Sequence, residues 1–521
     1  MTSAFRTRII RTLTLPLDAD SCPGGLPSFL VRDDLLCWTR REAGLVGFGE
    51  VARFTATGPE RFLEADIWWR HLVLEADIND PVGRPGTGPV AFGSFAFSKA
   101  SAHESRLIVP EIVVGLRDGK AWLTQLTFDD GDLTEAGARA TLDRWLSGGS
   151  TGSAGSAGAG AGGSLADGAL VDGSPADGTL DGSTLADGTL VDAILVASPT
   201  PGAGSAAAGT AAISTAGDGT PGTSTARAGA AVVRPVPLAA GATLHTGSLS
   251  EKDWMAAVAA GVAEIRTGAL EKLVLARDIV ATVPAGVNAA EILRQLAVRY
   301  RECWTYGVDG LVGATPEMLI QVEGRTAQAR VLAGTLDRRD ADGMAGSPLE
   351  FAERVLAGSE KQRHEHDIAI QSLTTQLAPF SEAMNAHSEP FILELPNVWH
   401  LASDVKAELA EVEGHVPTCL ALINALHPTA AVCGTPTTVA GALIRKLEHL
   451  DRGPYAGPVG WLDAAGNGEW GIALRGAVIE SPETVRLYAG CGVVEGSVPE
   501  AELAETWAKF RPMLESLGIN S

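Results

Sequence analysis

The sequence predicts a large α+β chain, and three observations carry that reading. Runs rich in β-branched and aromatic residues recur on both sides of a long Gly/Ala/Ser/Asp-rich stretch. After that stretch, strand-like runs alternate with segments of helical spacing. The 521 residues are also enough for several domains or one large one.

The N-terminal part, 1–146, opens on "MTSAFRTRIIRTLTLPLDAD", which is basic but has no apolar core long enough for a signal peptide. "PGTGPVAFGSFAF" (Pro85–Phe97) and "RLIVPEIVVGLRDGKAWLTQLT" (Arg106–Thr127) read as strands, and "RDGK" marks a hairpin turn. These strands are expected to complete the sheets of the C-terminal part. Residues 147–230 break the composition, running from "GGSTGSAGSAGAGAGG" into imperfect D-G-T-L units. Those units lack the fixed period of calcium-binding solenoids. With few aromatics and little apolar content they cannot offset the entropy of ordering, so an acidic, disordered insertion is expected.

From 246 to 517 the chain reads as one domain that alternates strands with helices. "EKLVLARDIVATV" and "LVGATPEMLIQVEG" are strand-like, whereas "LEFAERVLAGSEKQRHEHDIAIQSLTTQL" has helical spacing throughout. "SVPE", Ser497 to Glu500, predicts a capping box at the start of the last helix.

Composition excludes several classes of function. The formal net charge of -23 opposes non-specific nucleic-acid or anionic-membrane binding, both of which need a basic surface. No apolar run reaches the ~20 residues that span a bilayer, and the protein reads as cytoplasmic. Six cysteines occur without a C-x-x-C pair, which argues against a disulfide framework or zinc knuckle.

In the last helix Glu502, Glu505 and Lys509 stand at i, i+3 and i+7, on one face. Alone, they would better suit a solvated, ion-paired face. Glu365, in "SEKQRHEHDI", is another carboxylate on a helix. Carboxylates meeting from two helices would suit a hard cation such as Mg2+. Gly490 and Gly492, in "YAGCGVVEGS", allow close backbone approach to an anion near a helix N-terminus, or simply a tight turn. "ALHPTAAVCGTP", Ala425 to Pro436, poses a choice between metal clip, redox site and pocket wall.

Taken together these stretches resemble the chorismate-utilising enzymes, which include isochorismate, salicylate, anthranilate and aminodeoxychorismate synthases. "EKLVLAR", "LVGATPEML", "VLAGTLDRR", "SEKQRHEHDI", "LPNVWHLAS", "ALHPTAAVCGTP", "YAGPVGWLD", "ALRGAVI" and "YAGCGVVEGSVPEAELAETWAK" occur in order from about Thr246 onward. "WWRHL", "GTGPVAFGSFAF" and "VPEIVVG" extend the likeness into the N-terminal part. The resemblance implies a fold of two packed, largely antiparallel sheets surrounded by helices.

It also implies roles. Mg2+ would fall on Glu365 and Glu505, with Glu502 nearby through water, and would grip the ring carboxylate of chorismate. Gly490, Gly492 and Lys509 match positions near that carboxylate. Tyr455 and Arg475 match those that hold the enolpyruvyl carboxylate, while Gly334, Thr335 and His400 would line the ring site. Lys272 would be the general base and Glu317 the general acid.

Lysine at 272 is the mark of the water-using branch, because the ammonia-using anthranilate synthases carry glutamine there. No glutaminase subunit is therefore expected. Ala333 stands where aminodeoxychorismate synthases carry a lysine that becomes covalently attached. "LHPTAAVCGTP" resembles the block of isochorismate synthases, apart from Ala430 and Cys433, and reads as a pocket wall. The implied activity is Mg2+-dependent conversion of chorismate to isochorismate, for menaquinone or catechol siderophore synthesis. Salicylate synthase and a non-catalytic chorismate-binding homologue are the alternatives.

Overall fold

The structure is a computed structural model that describes residues 9–18, 22–128, 131–148, 241–342, 346–385, 389–411 and 414–519. The insertion expected at 147–230 lies outside these apart from its first two residues.

The described strands form one 13-stranded and one 10-stranded sheet. Their ladders are antiparallel except where Arg11–Leu17 runs parallel to Asp77–Asn79. Strands before the composition break lie within both sheets. In the larger sheet Leu36–Arg40 pairs with Trp304–Val308, placing Trp38 opposite Tyr306. In the smaller, Val90–Ser94 pairs with Pro458–Asp463, placing Phe92 opposite Trp461. Apolar residues of both sheets, such as Leu273 and Leu275 with Ile320 and Val322, belong to one buried cluster.

The "RDGK" hairpin forms with Arg117 opposite Lys120. Asp118 and Gly119 both take positive φ, 50° and 71°, matching the twist of the flanking strands. Two helical expectations need correction. The segment from Leu349 to Leu377 is not one helix: Pro348–Ala352 leads into a π-helical turn, Glu353–Ala357, and Glu360–Leu377 starts afresh. Ser359 caps that new start by accepting from the Gln362 N–H, so Gly358–Ser359 is a break. The predicted capping box at Ser497 is absent. Pro499 takes the first helical position of Pro499–Ser516, Val498 becomes the cap residue, and Ser497 Oγ instead accepts from Val494 N at 3.1 Å.

Two crossings between the sheets matter for the site. Leu311–Thr315 belongs to the larger sheet and Met318–Glu323 to the smaller, so the chain changes sheet at Pro316–Glu317. It crosses back between Gly468–Ile472 and Gly476–Ser481, through Ala473–Arg475.

Candidate active site

Both crossings open onto one cavity. Glu317 and Arg475 line it together with Thr335, His400, Tyr455, Glu365, Glu505 and Lys509, so residues far apart in the chain converge. Gly334, Gly490, Gly492 and Ala333 also face it.

One wall is built around a β-bulge. The strands Thr326–Asp337 and Val398–Leu409 pair in register until Ala333, then skip Gly334 and resume with Thr335 opposite His400. Gly334 has φ 77°, a conformation that favours glycine, and a methyl there would press on Gln362 Oε1. The bulge turns the Gly334 carbonyl to His400 Nδ1 at 3.0 Å. A carbonyl only accepts, so Nδ1 carries the proton and Nε2 is left as an acceptor. Arg475 Nη2 donates to that Nε2 at 2.8 Å. Burial, then the positive charges of Arg475 and Lys509, hold His400 well below its ordinary pKa, so the ring is neutral at pH 7.

Arg475 is 7% exposed and sits at φ 51°, which few non-glycine residues adopt. With one nitrogen committed to His400, its Nη1 is buried without a partner. An unpaired guanidinium N–H in a cavity is costly unless an anion meets it, and its planar fork matches a carboxylate.

Glu317 is 5% exposed at the other crossing. Burial pushes its pKa up to about 8, and the opposing pull of Lys272, Lys509 and Arg475 does not cancel this. The carboxyl is therefore mostly protonated at pH 7.

Lys272 is 1% exposed and does not form the cavity surface. Its Nζ lies 3.1 Å from Glu365 Oε1, directly behind that carboxylate. Gly492 makes room for this pair, since a methyl there would collide with the Glu365 carboxylate. Lys509 bonds Glu505 Oε1 at 2.6 Å and donates to the Gly490 carbonyl at 2.8 Å. Glu502 is buried and does not line the cavity; it lies against the Cys491 thiol. Burial first, then Glu502 and Glu505, push that thiol far up in pKa.

Among the described residues no three His, Cys, Asp or Glu side chains form a metal cluster by themselves. Glu365 and Glu505 nonetheless face one cavity from two helices. Two carboxylates fit Mg2+, which keeps several waters and completes its shell with ligand oxygens.

In "ALHPTAAVCGTP", Ala431 and Val432 line the cavity. His427 lies outside it, with Nε2 3.1 Å from the Phe97 carbonyl, and burial drives its pKa down to about 3. Cys433 is buried and burial raises its thiol pKa to about 11, which gives it neither redox nor ligand character.

Sequence reasoning missed two features of the wall. Tyr488 also lines it, stacked on Tyr455 at 5.0 Å between ring centroids. Arg452 lines it too, in a buried pair with Glu448 at 2.5 Å. Arg452 donates to Val274 O and Val432 O, and Glu448 accepts from Ala276 N, so the pair satisfies the open edge of the Lys272 strand. The i,i+4 spacing of Glu448 and Arg452 was the only signal, and it reads as an ordinary surface pair.

The chain is similar to known proteins over most of its described length. The profile of the family described as chorismate binding enzyme matches residues 32–145 and 229–518. Isochorismate synthase DhbC of Bacillus subtilis is 38% identical over 295 residues, 54% of this chain and 72% of that protein. The salicylate biosynthesis isochorismate synthase of Pseudomonas aeruginosa is 36% identical over 291 residues, 54% of this chain but only 58% of that protein. The solved structure of menaquinone-specific isochorismate synthase MenF from Escherichia coli has TM-score 0.63 and 21% identity, covering 98% of this chain and 95% of that one. A 2,3-dihydroxybenzoate-specific isochorismate synthase structure from Bacillus anthracis has TM-score 0.62 and 24% identity, covering 95% and 100%. At those identities the structures speak to fold alone, whereas the family profile and the 38% identical relative speak to descent. The chain belongs to the chorismate-binding enzyme family.

Proposed function

We propose that the chain is an isochorismate synthase, which adds water at C2 of the chorismate ring and expels the C4 hydroxyl. The observation that carries the reading is the buried, unpartnered Nη1 of Arg475, in a cavity where His400 is neutral and Glu317 holds its proton. Such a site takes a carboxylate and donates a proton beside it.

Arg475 and Tyr455 would bind the enolpyruvyl carboxylate. Lys509, with the backbone at Gly490 and Gly492, would bind near the ring carboxylate. Glu365 and Glu505 would hold Mg2+, which supplies charge stabilisation at that carboxylate. Glu502 supports this group from beneath the cavity surface. His400, Gly334 and Thr335 form the wall beside the ring. Glu317 protonates the departing hydroxyl, a poor leaving group without that help. Lys272, as the neutral amine, takes the proton from water and becomes the ammonium, which requires its 3.1 Å contact with Glu365 to open when substrate enters. Water is the nucleophile, so no glutaminase subunit takes part, and we place the enzyme in the cytoplasm. Among the described residues no helix is long and apolar enough to cross a membrane.

Incubation with chorismate and Mg2+ followed by chromatography tests the reading. Isochorismate as the only product supports it. Salicylate with pyruvate would move it to a synthase that adds an elimination step, and binding without conversion would make the chain a non-catalytic homologue.

A further inference from the structure

The proposed cation site is divided between two sheets. Glu505 and Lys509 ride on Pro499–Ser516, which packs on Thr484–Val493 of the larger sheet, where Lys509 holds the Gly490 carbonyl. Glu365 rides on Glu360–Leu377, which packs on Thr326–Asp337 of the smaller sheet. Something must fix the distance between these halves.

Two residues beyond Lys509, Arg511 leaves the helix on another side and meets Asp337. Its Nη2 donates to Asp337 Oδ2 at 2.6 Å and its Nη1 to Oδ1 at 3.3 Å, a two-point contact. Asp337 is the last residue of its strand, just past the Gly334 bulge, and its Oδ1 is also held by the Arg339 N–H at 3.0 Å. Beside it Asn397 donates Nδ2 to the Ala508 carbonyl at 2.9 Å, and its own carbonyl accepts from Arg338 N. Asp337, at the end of a strand of the smaller sheet, and Asn397, in the turn before Val398–Leu409, thus grip the helix one to two turns past Glu505.

We propose that Arg511, Asp337 and Asn397 are positioning residues: an inter-sheet clamp that sets Glu505 against Glu365 and so tunes affinity for the divalent cation. The inference rests on the proposed function, because it takes those carboxylates as the cation's ligands. The clamp touches neither cation nor substrate. It acts through a helix, which transmits a shift at Arg511 to Glu505 as a rigid body. The pair is largely buried, with side chains 10% and 22% exposed, so removing one partner leaves the other charge unpaired and costs stability as well as position.

Calorimetric Mg2+ titration of the full chain without chorismate is the test, alongside thermal melting in EDTA. Wild type should bind Mg2+ and Glu505→Gln should bind far less. Arg511→Ala and Asp337→Asn should each weaken binding roughly 10-fold, the scale for groups that orient a ligand, while metal-free melting falls yet stays above the titration temperature. The double variant should be no worse than either single, and the exchanged pair Arg511→Asp with Asp337→Arg should recover most of the affinity. If Arg511→Ala fails to fold, Arg511→Lys keeps the charge but only one contact, and should show intermediate weakening. Wild-type affinity in any folded clamp variant would overturn the clamp while leaving the proposed function standing. Absence of Mg2+ binding by wild type would overturn both the clamp and the metal-dependent reading.

Discussion

Replacing Glu317 by glutamine isolates the proton that the proposed reaction needs. With a pKa of about 8, the Glu317 carboxyl is roughly 90% protonated at pH 7, whereas at its ordinary value of 4.5 it would be less than about 1% protonated. Glutamine has nearly the shape of the protonated acid but delivers no proton. The variant should fold normally, bind chorismate with similar affinity, and lose about 10²-fold or more in turnover. Wild-type turnover should fall as pH rises through about 8, because the acid is then ionised. The same group should affect stability. Its folded-state pKa lies above the ordinary 4.5, so its contribution is full below that value and is lost as pH rises to about 8. Glu317→Gln should remove that slope from a series of denaturant melts between pH 5 and 8. The assays are chorismate consumption with product chromatography across pH, and the melts. A variant with more than a tenth of wild-type turnover at pH 7 would refute the general-acid assignment.

Lys272→Ala should lose at least ~10²-fold in turnover with little change in KM; near-normal turnover at saturating chorismate and Mg2+ would sink the base assignment. Arg475→Ala removes a charge-assisted contact worth about 2 kcal/mol, so KM for chorismate should rise roughly 30-fold. Arg475→Lys, which keeps charge but not the fork, should recover only part, and full recovery would show that geometry is unimportant. Gly334→Ala forces a methyl toward Gln362 Oε1 at φ 77°, so it should cost about 1–2 kcal/mol and lower turnover. An unchanged melting temperature would mean the bulge relaxes freely. Glu365→Gln should need more Mg2+ for half-maximal activity, and a wild type fully active in EDTA would reduce the carboxylates to a helix-pairing device.

Much of this protein is legible in its sequence alone. Runs of β-branched and aromatic residues around "RDGK" determine a hairpin, because Asp and Gly tolerate the positive φ that the turn demands. Ordered blocks such as "SEKQRHEHDI" and "ALRGAVI" identify the family and point to Glu365 and Arg475, because these chemical groups recur in fixed local contexts. Local pattern failed where a neighbour outside the window decided. Pro499 moved the last helix's start beyond Ser497, and Gly358–Ser359 broke a continuous helical period.

Electrostatics belonged entirely to the tertiary structure. The family resemblance marks Glu317 as the acid, but only burial at a crossing between two sheets keeps it protonated. The sequence marks Lys272 on a strand, but only the fold sets that lysine behind Glu365. It shows Glu448 and Arg452 only as opposite charges four residues apart, yet folding buries them against a strand edge. Helix and strand periods follow from short-range backbone geometry, so a linear pattern can encode them. A pKa or an unpartnered N–H depends on which distant groups displace water from it, and that is decided only when the sheets pack.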